Sequence, residues 1–415
     1  MPATELNVWL GERHVATLLQ TRTGELRLRY AEATVERLGE GAIVMSVALP
    51  VSTRRYKGTR VEYWAESLLP EGEARTTIEQ RFGVRRGDTF GLLAAIGSDC
   101  AGAVSFLSAD LTPRQLDSAQ PLSADDLDDA VEHLPTHPLG VDDDVRVSLG
   151  GLQAKLLLVR TVDGEWARPV GGAPSTHIVK PDPLAFPGLV VAEAFTLAMA
   201  AAAGVAAAQC ELVTWGGRPA LVLQRFDRVM REDRVTRLHQ EDACAALGVN
   251  PAGQYKCQSP DPASPTLAAI AGLLARHGTD RRADLSSLAA AVATRIAVGD
   301  TDGHARNYGL VHTGHTISLA PLYDAAPTSA FVTTKQVGLW VGGQPYLSAI
   351  TVDHLAREFR SWGMPARLAE KLPAQTLERL EAALPEAQAM VPQIEQKIVD
   401  TIRSRITRLL QGGNS

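Results

Sequence analysis

Hydrophobic and polar residues alternate along the first hundred residues with a period of about two, which predicts strands. Residues 7–10 and 14–18 flank a Gly-Glu-Arg turn and predict a hairpin. Residues 26–30 alternate strictly, residues 43–49 are another strand candidate, and residues 91–96 are typical of a short helix. The pattern therefore predicts a β-rich N-terminal region.

The pattern changes over residues 108–144, which are interrupted by prolines and rich in aspartate. One helix fits inside, with Ser123 as its N-cap, acidic residues in its first turn, and apolar residues at positions 127, 130, 131 and 134. The composition favours an acidic, solvated linker that contains this short helix.

Buried elements follow. Residues 155–160 and 176–180 predict strands, residues 191–203 predict a helix that ends at Gly204, and residues 219–225 predict a further strand. This order is typical of a nucleotide-binding small lobe. Beyond residue 227 the helical period dominates, and apolar stripes predict helices over residues 266–277, 285–298, 365–372, 373–384 and 392–410.

The composition is that of a globular, soluble protein: 415 residues, 45% hydrophobic and 21% charged, with a mean hydropathy of −0.04. A net charge of −6 disfavours a stand-alone binder of DNA or acidic membranes. We see no signal peptide and no membrane span. The four cysteines are too far apart for a zinc ribbon or a redox dithiol, so we expect a cytoplasmic protein with reduced thiols.

The strongest local signal is the segment at residues 299–308, Gly-Asp-Thr-Asp-Gly-His-Ala-Arg-Asn-Tyr. Asp302 precedes Asn307 by five residues, as the catalytic Asp precedes the metal-binding Asn in a protein-kinase catalytic loop. Phosphoryl transfer needs a carboxylate that takes the proton of the attacking hydroxyl, and oxygen ligands for Mg²⁺. Asp324, seventeen residues after Asn307, offers a second ligand, and residues 308–319 predict a hairpin between the two. The alternative is that the segment is only a polar turn.

A second group of residues lies upstream. Residues 148–155, Ser-Leu-Gly-Gly-Leu-Gln-Ala-Lys, contain glycines that allow backbone N–H groups to approach phosphates. Lys180 ends the next strand, Glu193 lies early in the following helix as a candidate partner, and residues 224–226 form a connection whose backbone can hold adenine. Each feature alone also fits an ordinary structural role. Their order along the chain is the order found in kinases.

With these motifs the chain resembles HipA-type serine/threonine kinases, the toxins of bacterial toxin–antitoxin pairs. The resemblance extends over most of the chain, including the stranded N-terminal part. The matching segments are residues 148–155, 177–180, 224–228, 239–242, 301–307 and 321–324. Thr-Asp-Gly-His-Ala-Lys/Arg-Asn together with Gln-Glu-Asp is specific to that group.

The resemblance implies roles for the matching residues. Asp302 would be the catalytic base, and Asn307 and Asp324 would be the Mg²⁺ ligands. Lys180 would reach the ATP phosphates, and Ser148 would match the serine that such kinases phosphorylate in themselves. The other residues of the implied ATP site are Gly150, Gly151, Leu152, Gln153, Ala154, Lys155, Gln224, Arg225, Phe226, His304, Ala305, Arg306 and Tyr323.

The predicted fold class is α+β: a two-lobed protein-kinase-like fold with a β-rich N-terminal subdomain and a mostly helical C-terminal lobe. The predicted parts are the N-terminal subdomain (1–107), the acidic linker with its short helix (108–144), an ATP-binding small lobe (145–226) and a helical catalytic lobe (227–415).

The chain departs from its relatives at a few positions. Ala325 and Ala326 follow the second Asp where other kinases carry Phe-Gly, and Ala154 and Ala192 stand where many relatives carry Glu and Asn. The base and the metal ligands remain, so we expect an active kinase. Residues 240–242, Gln-Glu-Asp, recur in the family, and the sequence assigns them no chemical role.

The resemblance further implies ATP and Mg²⁺ as cofactors and a short helix-turn-helix antitoxin, similar to HipB, as partner. The implied substrate is a translation-related protein such as an aminoacyl-tRNA synthetase, whose phosphorylation arrests growth. Operator DNA would be bound mainly through the antitoxin. The last helix has a basic side, formed by Lys397, Arg403, Arg405 and Arg408, which is a secondary candidate for DNA contact. The alternative, which we favour, is an ordinary solvated helix face.

Two alternatives stay open. A small-molecule kinase of the aminoglycoside or fructosamine type shares the lobes, and an assay of phosphate on proteins and on small molecules separates it. A non-catalytic co-repressor scaffold is the other, and the intact Asp302, Asn307 and Asp324 argue against it.

Overall fold

The computed structural model describes residues 4–113, 118–134, 136–141, 146–150, 153–231, 234–251, 253 and 264–412. The N-terminal subdomain packs short helices on an antiparallel sheet with strand order β4-β3-β2-β1-β5. Its elements are β1 (Glu5–Leu10), β2 (Arg13–Gln20), β3 (Leu26–Tyr30), α1 (Glu32–Leu38), β4 (Tyr56–Lys57), α2 (Thr59–Ser67), α3 (Gly72–Arg81), α4 (Thr89–Ile96) and β5 (Val104–Leu107). The predicted hairpin, the strand at residues 26–30 and the short helix near residue 91 are confirmed.

The strand predicted over residues 43–49 is wrong, because this segment is irregular although its apolar side chains are buried. The Met45 carbonyl oxygen lies 2.7 Å from His239 Nε2, and the Val47 N–H donates to Glu241 Oε1 (2.9 Å). Two of the segment's backbone polar groups are thus bonded to side chains of the catalytic lobe instead of to a neighbouring strand.

The small lobe contains a second sheet with strand order β10-β11-β9-β7-β8-β6. Its elements are β6 (Ser118–Pro121), α5 (Ala124–Glu132), β7 (Leu156–Arg160), β8 (Trp166–Val170), β9 (His177–Pro181), α6 (Leu189–Ala202), β10 (Cys210–Trp215) and β11 (Arg218–Gln224). The strand period of two places Ala220 and Val222 in the cluster formed with α5, and Leu221 and Leu223 in the larger core formed with α6.

The described part of the predicted acidic linker packs onto this lobe. Ser123 caps α5 in a capping box with Asp126, as the sequence predicts, and Leu127 and Val131 are buried. Strand β6 pairs with β8, which the sequence did not indicate because Ser-Ala-Gln-Pro has no apolar alternation. The domain boundaries stay predictions.

The catalytic lobe is mostly helical, with small hairpins beside the cleft. Its elements are β12 (Arg228–Arg231), β13 (Arg234–Arg237), β14 (Gln240–Asp242), α7 (Ala243–Leu247), α8 (Leu267–His277), α9 (Arg281–Val298), β15 (Gly309–Thr313), β16 (Thr316–Leu319), β17 (Gln336–Val341), β18 (Gln344–Tyr346), α10 (Val352–Ser361), α11 (Ala366–Met390) and α12 (Gln396–Gln411). In the part of the chain that the structure describes, no helix is long and apolar enough to cross a membrane.

The two helices predicted over residues 365–372 and 373–384 are one continuous helix, α11. Proline normally interrupts a helix because it removes a hydrogen bond and clashes with the preceding turn. Here Pro373 is buried on the same face as Leu377 and Leu380, which packs against α6 and α9. Burial of this continuous apolar face offsets the lost backbone bond.

The basic side of α12 is largely engaged within the lobe. Arg405 donates to the Val298 carbonyl (2.8 Å), and Arg408 donates to the Ile350 carbonyl (3.2 Å). Arg403 pairs with a carboxylate one turn away on its own helix (3.2 Å). Arg405 and Arg408 therefore stabilise the catalytic lobe, whereas the exposed Arg403 pair contributes little.

Candidate functional site

A cleft of about 460 Å³ lies where the N-terminal subdomain, the small lobe and the catalytic lobe meet. Its volume is within the usual range for cofactor and substrate sites. Trp64 and Leu68 line it from the N-terminal subdomain. The predicted site residues that line it are Gly150, Gln153, Lys155, Lys180, Glu193, Gln224, Arg225, Phe226, Asp302, His304, Arg306, Asn307, Tyr323 and Asp324.

A few predicted site residues lie elsewhere. Ala305 is fully buried at the start of the turn that carries Asn307, and Ala154 is exposed to solvent. Gly151 and Leu152 lie outside the described residues.

Lys180, near the end of β9, is held between two carboxylates. Its Nζ donates to both carboxylate oxygens of Glu193 (2.9 and 3.1 Å) and to Asp324 Oδ1 (2.8 Å). Burial alone would lower the pKa of Lys180, but the Asp324 and Glu193 carboxylates raise it above its usual range. The structure thus brings together three predicted site residues around one ammonium group that stays charged at neutral pH.

Asp324 reaches this ammonium group from an unusual backbone conformation. Its φ of 50° lies in the left-handed region, which residues other than glycine adopt mainly at turns and functional sites. Its side chain is 47% exposed, so the carboxylate is accessible from the cleft. The Asn307 side-chain amide donates to the Asp324 carbonyl (3.2 Å), which holds the two predicted metal ligands side by side.

Arg295, in the last turn of α9, ties these segments together. Its guanidinium group donates to the carbonyls of Asn307 and Asp324 (3.0 Å each) and forms a buried ion pair with Asp300. Asp300 in turn accepts from the Asp302 N–H (2.8 Å), and burial raises the pKa of Asp300 to about 6 against the opposing effect of Arg295. Sequence reasoning missed both residues; the available signal was an arginine within an apolar stripe just before the catalytic segment.

The Gly-rich segment is anchored before it reaches the cleft. Ser148 is fully buried, its hydroxyl donates to the Leu68 carbonyl (2.6 Å), and its N–H donates to the Asp99 carbonyl (2.8 Å). The Lys155 ammonium group donates back to the Gly150 carbonyl (2.7 Å). Burial, reinforced by neighbouring cations, lowers the pKa of Lys155 to about 8.

Arg306 lines the cleft, but its guanidinium group is engaged with protein. It forms ion pairs with Glu71 and with Asp242 Oδ2 (3.3 Å), and it donates to the Ser67 carbonyl (3.0 Å). The arginine of the catalytic segment therefore connects it to the N-terminal subdomain.

The connection between the small lobe and the catalytic lobe, residues 224–226, is also held by ion pairs. Arg225 is buried and paired with Asp227 (2.8 Å) and Asp99 (3.4 Å), so its side chain belongs to an ionic network. The Phe226 ring lies 5.7 Å from the Tyr323 ring, centroid to centroid, and borders the cleft.

The Gln-Glu-Asp segment, to which the sequence assigns no role, docks the N-terminal subdomain. Glu241 accepts from the Val47 N–H (2.9 Å). Asp242 caps α7 by accepting from the Ala245 N–H (2.8 Å) and pairs with Arg306. These acids hold parts of the chain that are far apart in sequence.

Comparison with known proteins agrees with this architecture. The family profile described as the HipA N-terminal domain matches residues 6–107, and the profile described as the HipA-like C-terminal domain matches residues 147–387. The chain is 35% identical over 361 residues to the Sinorhizobium fredii protein Y4mE, which is named as a kinase, with 85% of this chain and 84% of that protein covered.

It is also 27% identical over 376 residues to the serine/threonine-protein kinase toxin HipA of Shewanella oneidensis, covering 85% of this chain and 82% of that one. The solved complex of Shewanella oneidensis HipA with HipB and its operator DNA contains a chain that superimposes with a TM-score of 0.81 at 24% identity, covering 98% of this chain and 96% of that one. The predicted fold class is confirmed.

Proposed function

This chain belongs to the HipA family of kinases, and from that premise we propose that it is an ATP- and Mg²⁺-dependent serine/threonine protein kinase. The observation that carries the proposal is Lys180, bonded at once to Glu193 and Asp324 at the wall of the cleft. Kinases use such a lysine–glutamate pair to hold the ATP phosphates and such an aspartate to hold Mg²⁺.

The residues present fit Mg²⁺. Asp324 supplies an accessible carboxylate. The Asn307 amide nitrogen donates to the Asp324 carbonyl, which leaves the Asn307 amide oxygen as a metal ligand. Mg²⁺ prefers such hard oxygen ligands and usually takes one or two from protein, with phosphate and water oxygens in the other positions. When bound, it would neutralise charge on the β and γ phosphates.

The nucleotide also has partners in the cleft. Gln153 Nε2 is buried, with no hydrogen-bond partner among the described residues, and Lys155 is a second cation on the same wall. We assign Gly150 to Lys155 to the phosphates, and Gln224 to Phe226 to adenine. The Arg225 guanidinium group is engaged elsewhere and its N–H donates to the Thr176 carbonyl (2.9 Å), so of this residue only the carbonyl oxygen is assigned to adenine.

Asp302 is assigned as the base. It is exposed on the loop that carries Asn307, and its N–H is fixed by Asp300 (2.8 Å). In the transfer, the oxygen of a serine or threonine hydroxyl bonds to the γ-phosphorus, the bond to the ADP oxygen breaks, and the hydroxyl proton passes to Asp302.

We assign the kinase a role as toxin of a type II toxin–antitoxin pair in the cytoplasm, with a HipB-like helix-turn-helix antitoxin as partner. The support is family membership and the Shewanella structure, which contains HipB and operator DNA. The proposed substrate is a translation-related protein, such as an aminoacyl-tRNA synthetase, whose phosphorylation stops growth. Phosphorylation of Ser148 is proposed as the off-switch.

The test is phosphate transfer from labelled Mg-ATP to a bacterial lysate, with small-molecule acceptors in parallel. Asp302→Asn keeps the shape but removes the base, so transfer to protein should fall at least ~10²-fold while ATP binding survives. Asp353→Asn, an exposed residue of α10, is the matched control and should retain activity. Undiminished transfer in Asp302→Asn would refute the base assignment, and phosphate on small molecules alone would make the enzyme a small-molecule kinase.

A further inference from the structure

The chain that follows Asp324 returns to the catalytic segment at Thr328. This residue begins a one-turn 3₁₀ helix (Thr328–Ala330) and lines the same cleft as Asp302. The N–H of Thr301, one residue before Asp302, donates to the Thr328 hydroxyl oxygen (2.7 Å). Thr328 therefore joins the segment that carries Asp324 to the segment that carries Asp302.

The single hydrogen of the Thr328 hydroxyl has a defined acceptor. The Thr301 hydroxyl lies 3.0 Å from the Thr328 hydroxyl oxygen, and Asp300 Oδ1 lies 3.4 Å from it. Because an ionised carboxylate only accepts, the Thr328 hydroxyl donates to Asp300 and accepts from Thr301. A continuous chain of bonds thus runs from Thr301 through Thr328 to Asp300.

Asp300 carries this chain of bonds on to the proposed base. Its Oδ1 also accepts the Asp302 N–H (2.8 Å), and its other oxygen pairs with Arg295. Asp300 and Thr301 are 2% and 3% exposed, whereas Asp302 is exposed to the cleft. The base therefore stands on a buried support, and Thr328 is the part of that support that comes from the segment after Asp324.

Removal of the Thr328 hydroxyl would leave the buried Thr301 N–H without this acceptor. A buried N–H that lacks a partner is unfavourable, so the backbone at Thr301 would shift towards another partner, and Asp302 would move with it. A general base must lie within roughly 2.6–3.2 Å of the group whose proton it takes, so a small displacement of Asp302 is enough to slow the transfer.

We propose that Thr328 is a positioning residue for phosphoryl transfer, whose hydroxyl holds the backbone around Thr301 so that the Asp302 carboxylate faces the acceptor hydroxyl. This inference rests on the proposed role of Asp302 as the base. Because Thr328 acts through the base and not on the nucleotide, its loss should slow transfer without weakening the binding of Mg-ATP.

The experiment uses the full chain and two measurements: the rate of phosphate transfer from labelled Mg-ATP to lysate proteins, and the calorimetric affinity for a non-hydrolysable ATP analogue with Mg²⁺. Thr328→Val keeps the size but removes the hydroxyl, so transfer should fall about tenfold, a part of the ~10²–10⁴-fold that a positioned base supplies. The analogue should bind with unchanged affinity.

Three further variants separate the hydroxyl from the rest of the side chain. Thr328→Ser keeps the hydroxyl and should retain transfer, whereas Thr328→Ala removes it without a new methyl group and should behave as Thr328→Val does. Thr407→Val is the matched control, because it removes a hydroxyl that donates to the Arg403 carbonyl (3.0 Å) on α12, and it should transfer as wild type does.

The Asp302→Asn background supplies the readout that a merely structural role would not give. Once the base is removed its position no longer matters, so adding Thr328→Val there should cause no further loss of transfer. Losses that multiply would overturn the proposal, as would undiminished transfer in Thr328→Val, an equal loss in Thr328→Ser, or a matching loss of analogue affinity. A wild type that transfers no phosphate, or an Asp302→Asn variant as active as wild type, would overturn the proposed function instead.

Discussion

At the scale of single residues, Asp324 combines a left-handed backbone with a charged side chain that borders the cleft. It holds a left-handed φ of 50°, which costs on the order of 1–3 kcal/mol for a residue other than glycine. Partial desolvation inside the cleft would by itself raise the pKa of Asp324, but the Lys180 ammonium group lowers it below its usual range. A carboxylate that stays ionised at neutral pH, in a left-handed turn, is well suited to hold a cation.

The corresponding prediction concerns Mg-ATP. Asp324→Asn tolerates the left-handed backbone but removes the charge, so Mg-ATP affinity should fall at least ~10-fold while adenosine affinity changes far less. Asp324→Ala should show the same selectivity with lower stability, since alanine is strained at this φ. Calorimetry with both ligands measures this, and equal losses for Mg-ATP and adenosine would mean that Asp324 is structural.

At the scale of elements, the segment that leads from Val147 into the Gly-rich loop is anchored at Ser148, the residue proposed for phosphorylation. Ser148 is 0% exposed, with both its hydroxyl and its N–H bonded to the N-terminal subdomain. A kinase cannot reach a hydroxyl in that state, so the loop must leave its anchors before the serine can be phosphorylated. The rate of Ser148 phosphorylation would therefore be limited by how often the loop leaves its anchored state.

From this we predict slow, intermolecular phosphorylation of Ser148 that switches the enzyme off. The product carries about −1.5 to −2 charge, which opposes return of the loop to the ATP phosphates. Mass spectrometry after incubation with Mg-ATP should find phosphate on the Ser148 peptide of Asp302→Asn when wild type is the donor, and none there in Ser148→Ala. An unmodified Ser148 peptide in a preparation that phosphorylates another protein would rule out this switch.

At the scale of the whole molecule, a buried ionic network fastens the N-terminal subdomain to the catalytic lobe. Asp99, fully buried, accepts from Arg228 (2.8 Å), Arg237 (3.3 Å) and Arg225 (3.4 Å). Burial alone would raise the pKa of Asp99, but these guanidinium groups hold it well below its usual range. Asp99 keeps these three partners only while the subdomain is docked.

Asp99→Asn should therefore destabilise the protein by on the order of 3 kcal/mol or more, the usual cost of breaking a buried ion pair. Since the pKa of Asp99 is depressed on folding, its stabilisation is complete above the ordinary aspartate pKa of 3.8 and is lost as pH falls below it. Thermal unfolding at neutral and acid pH measures both effects, with the exposed Asp163→Asn as control. An unfolding temperature unaffected at neutral pH would contradict this account of the network.

The sequence alone determined the features that depend on local order. Period-two and helical patterns located β3, α8 and α9. The N-cap Ser123 was predictable because the free N–H groups at a helix N-terminus are bonded by side chains within the first four residues. The order of Lys180, Asp302, Asn307 and Asp324 indicated the kinase fold, since chemistry of this kind fixes residue types and spacing. These four side chains do line one cleft.

Only the tertiary structure decided which contacts hold those residues in place. Glu71 and Asp99 lie far in sequence from the groups they bind, and no periodicity marks a charged residue whose partner is more than a hundred positions away, as Glu71 is from Arg306 and Asp99 is from Arg228. Tertiary packing also produced two results that the local hydrophobic pattern did not predict. Residues 43–49 form an irregular segment bonded to another lobe, and α11 continues through Pro373. The hydrophobic pattern of a sequence indicates which side of a helix or strand is apolar. The partner of a buried polar group, in contrast, depends on how the whole chain packs.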